Sequence, residues 1–379
     1  MESSRVSRVI NVLSILLLLA SSQCFFVLSS AGNRFDSSNS VLESSSWVRR
    51  MGSEGHGKGQ EPSRRALLQA ADGGFDHDAI SSSRFASVTV DQNGSGDFTT
   101  VQGAIDAVPE SNTQPVVIRI LPGTYVEKVY IPSSKPFITF LGVGNSVPVI
   151  TWNDTATTAG STWKSASVSI DAANFIAKGI TFENTAPAPP PGAVGAQAIA
   201  LRIGGDMSAF YGCSFLGAQD TLCDWMGRHY FENCFIQGSI DFIFGNGQSL
   251  YEGCTINSIA QTSGGVSAHY RQTSEDPSGY SFVNCNIIGT GKIMLGRAWG
   301  PYSRVVYSMT SMTNIIDPRG WSDWGLPSND LTVYFGEYNN YGDGANLTQR
   351  VPFSHELTQA EAQQFLTKAW IDGNDWLGF

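Results

Sequence analysis

Apolar and polar residues alternate in short runs along most of the chain, and the runs repeat. Gly212-Cys213-Ser214-Phe215, Asn233-Cys234-Phe235-Ile236, Gly253-Cys254-Thr255-Ile256 and Asn284-Cys285-Asn286-Ile287 share one form. Gly179-Ile180-Thr181-Phe182 has that form without cysteine, and Met309-Thr310-Ser311-Met312 is a weaker copy. The equivalent positions 180, 213, 234, 254, 285 and 310 are separated by 33, 21, 20, 31 and 25 residues. Alternation with a period of two is the strand pattern. Repeating units of this length, built from short strands and turns, predict an all-β solenoid, a parallel β-helix. The same inward position then recurs coil after coil, and the cysteines form an interior column. They are read as small buried hydrophobes; disulfides between neighbours are the alternative.

An open-ended solenoid needs covers. Thr100 to Val108 reads as a short helix with Val101, Ala104, Ile105 and Val108 on one face, stopped by Pro109. Thr358-Gln359-Ala360-Glu361 is a capping-box pattern that opens a helix expected to run through Trp370 and to pack by Phe365 and Trp370 on the body or on the last coil. Val116 to Leu121 and Phe137 to Leu141 read as strands of the first coils.

Composition agrees with this pattern. Charged residues are 15% and there are 40 glycines among 379 residues, a balance that suits short strands and turns rather than long helices. The net charge of −10 is uneven. Residues 1–70 hold eight Lys/Arg and five Asp/Glu, leaving 15 basic and 28 acidic residues, a net of −13, in the remainder. That balance argues against a nucleic-acid or membrane partner. It also predicts weak retention on a polyanion.

Residues 1–31 read as a signal peptide. Arg5 and Arg8 precede the apolar stretch Val9 to Ala20, and small residues follow up to Ala31. Residues 32–80 are Ser- and Gly-rich with few apolar residues and read as a flexible leader containing the dibasic pair Arg64-Arg65. Residues 81–379 form the β-helix domain. Export implies an oxidising compartment. Beyond Cys24, five cysteines remain, so at least one is unpaired within a monomer. Asn93, Asn153 and Asn346 head Asn-x-Ser/Thr sequons.

Two carboxylates stand out. Asp220 lies seven residues after Cys213, and Asp241 lies seven after Cys234. Equal offsets on neighbouring coils place both on one face, about 4.8 Å apart in coil spacing. Two adjacent carboxylates do not both ionise readily, so one is suited to hold a proton and the other to act as anion. Gln219 adjoins Asp220, and Gln197 precedes Gln219 by 22 residues, about one coil. Neutral amide donors suit a developing oxyanion. Arg297 could return to the same face to hold the ionised carboxylate, and Trp299 offers a flat surface to a sugar ring.

These segments resemble plant pectin methylesterases, which are right-handed parallel β-helix proteins. The matching stretches include Gly94-Ser95-Gly96-Asp97-Phe98, Gly123-Thr124-Tyr125, Ala198-Ile199-Ala200-Leu201-Arg202, Gln219-Asp220-Thr221-Leu222, Asp241-Phe242-Ile243-Phe244-Gly245-Asn246 and Gly296-Arg297 with Trp299. The resemblance covers about residues 85–376. It implies that Asp241 attacks a galacturonate methyl ester in homogalacturonan and that Asp220 protonates the leaving methoxide. It further implies that Gln197 and Gln219 stabilise the oxyanion, Arg297 keeps Asp241 ionised, and Phe244, Trp299 and Trp321 line the sugar groove. The implied partner is methyl-esterified homogalacturonan, with a proteinaceous pectinesterase inhibitor as a candidate second partner. The implied protein is a secreted cell-wall monomer without metal or cofactor.

The chain departs from the family pattern in places. Cys223 stands where a tyrosine is common, Ala298 where a proline is common, and the leader is too short for an inhibitor-like pro-domain. Other chemistries fit less well. A serine esterase lacks its Gly-x-Ser-x-Gly elbow, since Gly265-Val266-Ser267-Ala268 runs on into His269. An aspartic protease would need Gly where Leu222 follows Asp220-Thr221. A polygalacturonase-like glycosidase also uses carboxylates on a β-helix, but Gly55-His56-Gly57 lies in the leader. A binding-only β-helix would not need Asp220, Asp241 and Arg297 together.

Overall fold

The computed structural model describes residues 86–190 and 193–378. The expected signal peptide, the leader, Cys24 and the Arg64-Arg65 pair lie outside these residues. Among the described residues, the strands stack in parallel register into a β-helix with three faces. The first face holds eleven strands, from Ala86–Val90 through Ser208–Tyr211 and Arg228–Glu232 to Ser354–Glu356. The second runs through Thr181–Asn184, Ser214–Leu216 and Phe235–Gly238. The third runs through Val129–Ile131, Val168–Ile170, Leu201–Ile203, Leu222–Asp224 and Ile240–Gly245. Two long strands, Thr255–His269 and Asn286–Arg297, bend around the corner and join the second face to the third.

The repeat read from the sequence is the register of the second face. Thr181, Ser214, Phe235, Thr255, Asn286 and Ser311 are successive partners. The residues just before them, Ile180, Cys213, Cys234, Cys254, Cys285 and Thr310, therefore form one column, and all are buried. The four cysteines of this column form no disulfide among the described residues. One step earlier, Gly179, Gly212, Asn233, Gly253, Asn284 and Met309 all have φ between 51° and 64°. The corner from the first face to the second requires a left-handed residue, which explains the alternation of Gly and Asn there.

Aromatic rings stack along the axis inside the first face. Phe210–Phe231, Phe231–Tyr251, Tyr251–Phe282 and Phe282–Tyr307 have centroid separations of 4.9, 4.5, 4.6 and 4.4 Å, with planes within 16° of parallel. Ring spacing and strand spacing coincide, so each coil adds one ring to a continuous stack.

The N-terminal helix forms as expected, whereas the C-terminal segment packs on the side of the solenoid rather than over its end. Val101–Ala107 is a helix whose Thr100 cap accepts from the Gly103 amide, and it buries Val101, Ala104 and Ile105. At the C-terminus the capping box between Thr358 and Glu361 forms. The helix is shorter than expected, however: Gln359–Ala362 passes into 3-10 turns at Gln363–Phe365 and Lys368–Ile371. Thr367 is extended and restarts the chain at a new angle. This segment lies on the outside of the first face, where Phe365, Trp370 and Ile371 bury Tyr230, Leu250, Val283 and Val306. Asn93, Asn153 and Asn346 are all exposed. Among the described residues, no helix is long and apolar enough to cross a membrane.

Candidate active site

The third face supplies the site. Its outward row is Tyr130, Ser169, Arg202, Cys223, Phe244, Ala268, Arg297 and Ser322. At its leading edge Gln219 bridges Ile240, so Asp220 and Asp241 follow as neighbours on adjacent coils. The Asp220 amide donates to the Ile240 carbonyl at 3.1 Å. Both aspartates have left-handed backbones, with φ of 63° and 48°. Non-glycine residues adopt that region at a cost, and it recurs at functional sites. Register also shifts between Ile240 and Ile243.

The two carboxylates have different surroundings. Asp241 Oδ2 accepts from Arg297 Nη1 at 3.0 Å. Its Oδ1 is buried and has no partner among the described residues. Burial pushes the Asp241 carboxyl up from the usual aspartate range, and Arg297 opposes that push. Asp220 is driven well above the usual range by burial and then by the negative charge of Asp241, with Arg297 acting against both. The cation is bonded to Asp241, which favours the anion there and the proton on Asp220.

The glutamines flank this pair. The Ala198 amide donates to the Gln219 carbonyl at 3.1 Å, which places Gln197 one coil from Gln219. Gly265 pairs with Ile240 and lies against Asp241 and Arg297. A Cβ there would lie 3.2 Å from Asp241 Oδ1 and 3.1 Å from Arg297 Cδ. Gly265→Val is therefore expected to lower kcat by roughly a hundredfold by displacing the carboxylate–guanidinium pair. Steady-state kinetics alongside a thermal melt check this; wild-type kcat in the variant would contradict it.

Aromatic residues form the wall. Trp299 lies 4.4 Å from Tyr270 and 6.1 Å from Phe244. Tyr270 stacks on Trp225 at 6.2 Å. Phe244 is only 4% exposed and forms the floor beneath Trp299. Trp324 sits under the Arg297 guanidinium at 4.1 Å, with Trp299 and Phe244 in the same cluster. Trp225, Tyr270 and Trp324 carry no sequence motif, and Gly265 enters the sequence pattern only within the broken serine elbow. Cys223 is buried beside Phe244 in the floor.

Trp321 is a correction. It is 1% exposed and stacks on Phe335 at 4.5 Å, and its indole donates to Glu337 at 3.1 Å. It pairs with Gly296, one step before Arg297, and so falls on the inward row. Trp324, three residues later, lies against the Arg297 guanidinium instead. Trp321→Ala should act through folding, destabilising by about 3–5 kcal/mol. A denaturant melt checks this; full stability with a raised KM would return Trp321 to the groove. Among the described residues, no group of three or more His, Cys, Asp or Glu side chains is placed to hold a metal ion.

Known proteins with this arrangement are recognisable. A family model described as Pectinesterase matches residues 87–374. "Probable pectinesterase 8" of Arabidopsis thaliana is 50% identical over 298 residues, covering 76% of this chain and 76% of the relative. "Pectinesterase QRT1" of the same plant is 51% identical over 300 residues, covering 76% and 78%. The solved structure of pectin methylesterase from carrot superposes with a TM-score of 0.73 at 37% identity, covering 78% of this chain and 96% of that one. Family model, relatives and solved structure agree, and the chain belongs to the pectinesterase family, the enzymes that hydrolyse pectin methyl esters.

Proposed function

We propose that the protein removes methyl esters from homogalacturonan by an aspartate nucleophile and an aspartic acid/base. The unequal pair supports this reading most: Asp241 is held by Arg297 with Oδ1 bare, while Asp220 beside it is kept protonated.

Asp241 Oδ1 adds to the ester carbonyl carbon, and the carbonyl oxygen becomes an oxyanion that the Gln197 and Gln219 amides receive. The C–O bond to the methoxy group then breaks. The leaving oxygen takes the Asp220 proton, giving methanol and an acyl anhydride on Asp241. Asp220, now ionised, draws a proton from water, and the hydroxide adds to the substrate carbonyl carbon. Collapse expels the Asp241 carboxylate, leaves the uronic acid and restores protonated Asp220. Trp299, Trp324 and the Phe244 floor hold the sugar ring during both steps.

The N-terminal sequence and the exposed sequons support action outside the cell. The test is the purified protein on methyl-esterified homogalacturonan. Methanol should appear in step with new carboxylates, and the polymer should keep its length. Shortened chains without methanol would point instead to depolymerisation, and binding without either product to a non-catalytic module.

A further inference from the structure

A buried ion pair stands behind the catalytic arginine. The side chains of Glu337 and Arg350 are 3% and 5% exposed. Arg350 Nε donates to Glu337 Oε1 at 2.7 Å and Nη2 donates to Oε2 at 3.1 Å, a two-pronged contact that fixes the plane of the guanidinium. Arg350 also donates to the Pro318 carbonyl at 3.1 Å and to the Gly344 carbonyl at 2.8 Å. Glu337 Oε1 accepts a further bond, from the Trp321 indole at 3.1 Å. A buried ion pair adds little net stability over an apolar filling of the same space, so what it holds in place is the more informative feature.

It holds the segment that backs Arg297. Arg350 clamps that segment where it begins, at Pro318. The Leu295 amide donates to the Gly320 carbonyl at 2.7 Å, and the Ala298 amide to the Ser322 carbonyl at 2.8 Å. Between these bonds, Trp321 and Ser322 are the register partners of Gly296 and Arg297. The six-membered ring of Trp321 lies on Gly296, where a Cβ would stand 2.8 Å from Cζ3 and 3.1 Å from Cε3. Stacking on Phe335 at 4.5 Å fixes the ring as well. Contacts thus run from Arg350 to Glu337, from Glu337 to Trp321 and from Trp321 to Gly296. The next residue is Arg297, which bonds Asp241 at 3.0 Å.

We propose that Glu337 and Arg350, acting through Trp321, are positioning residues for Arg297. They set the Gly296–Arg297 backbone so that the guanidinium meets Asp241 Oδ2 and leaves Oδ1 bare. The inference rests on the esterase reading and extends it to side chains that touch neither substrate nor reacting atoms. A reacting group displaced by about 1 Å can lose about a hundredfold in rate. Such tolerance is met when the supporting side chains are themselves locked by packing and outer hydrogen bonds. The charged groups facing Asp241 are Asp220 on the neighbouring coil and Arg297. Burial raises the Asp241 carboxyl and Arg297 opposes that rise. A slackened Arg297 contact leaves burial less opposed, so the carboxyl rises further. The acid limb of kcat/KM, where the nucleophile takes up a proton, then moves to higher pH.

The test uses two conservative variants. Trp321→Phe keeps a ring on Phe335 but loses the indole N–H and part of the surface against Gly296. Arg350→Lys keeps the charge beside Glu337 and loses the fork. Both are compared with Ile118→Val, a change at a fully buried position in the first coils, at a temperature well below every melting midpoint. Trp321→Phe should lower kcat about tenfold, change KM by less than about twofold and raise the acid limb by about half a pH unit. Arg350→Lys should give smaller changes in the same directions. Ile118→Val should lower the melting temperature and leave kcat and the acid limb as in wild type. Kinetics of the two variants that match Ile118→Val, or an acid limb that stays in place, would overturn the positioning role. Crystal structures of wild type and Trp321→Phe supply an arm that needs no turnover. The Arg297–Asp241 bond should lengthen in the variant by about 0.5 Å or more; an unchanged bond would overturn the proposal too. Failure of the esterase reading is seen separately, as absence of methanol from the wild type.

Discussion

Asp241→Asn should release methanol from esterified homogalacturonan at a rate lower by about 10⁴- to 10⁶-fold, the loss expected when a nucleophile is removed. The substitution keeps the shape of the side chain and removes the anion. In the wild type the two oxygens differ: Oδ2 is tied to Arg297, and Oδ1 is left bare toward the reacting side. An amide can still bond Arg297 through its oxygen, but it cannot attack a carbonyl carbon. The loss should therefore fall on kcat, while binding of an unesterified oligomer persists. Methanol release by the variant within tenfold of wild type would remove Asp241 from the nucleophile's role.

Asp220→Asn should lower kcat by about 10²- to 10⁴-fold, as expected for loss of a general acid. It should also raise the melting temperature at neutral pH. The Asp220 carboxyl is raised well above its ordinary value by burial and by Asp241. A group raised on folding supports the fold below its unfolded pKa, about 3.9 for aspartate, and that support is lost as pH rises through the folded pKa. Asparagine carries no such penalty. The gap in melting temperature between variant and wild type should open with rising pH and close below about pH 4. A variant less stable than wild type at neutral pH would contradict the strain assigned to Asp220. This is the familiar opposition between a poised site and a stable fold.

Much of the molecule was legible because a solenoid repeats its register in its sequence. The column from Ile180 to Thr310 could be counted directly, since each coil presents the same left-handed corner just before it. The aspartate pair followed from equal offsets to Cys213 and Cys234. The third face was harder to phase. A register shift between Ile240 and Ile243 breaks the count from the cysteine column. Trp321 and Trp324 could then be told apart only by pairing Trp321 with Gly296. The corner-turning strands Thr255–His269 and Asn286–Arg297 hide the passage from one face to the next within continuous alternation. The role of Gly265 was illegible for a related reason: it lies in the space it leaves for Asp241 and Arg297, which belong to other coils. At the C-terminus the capping box predicted where the helix starts but not its break at Thr367.

The division of labour between the two carboxylates is the claim on which the chemistry depends, and infrared difference spectroscopy at neutral pH reads it directly. The wild-type spectrum minus that of Asp220→Asn should contain the carbonyl stretch of a protonated carboxylic acid. A difference spectrum holding only carboxylate bands would mean that Asp220 is ionised at rest, and it could not then be the proton donor to the leaving methoxide.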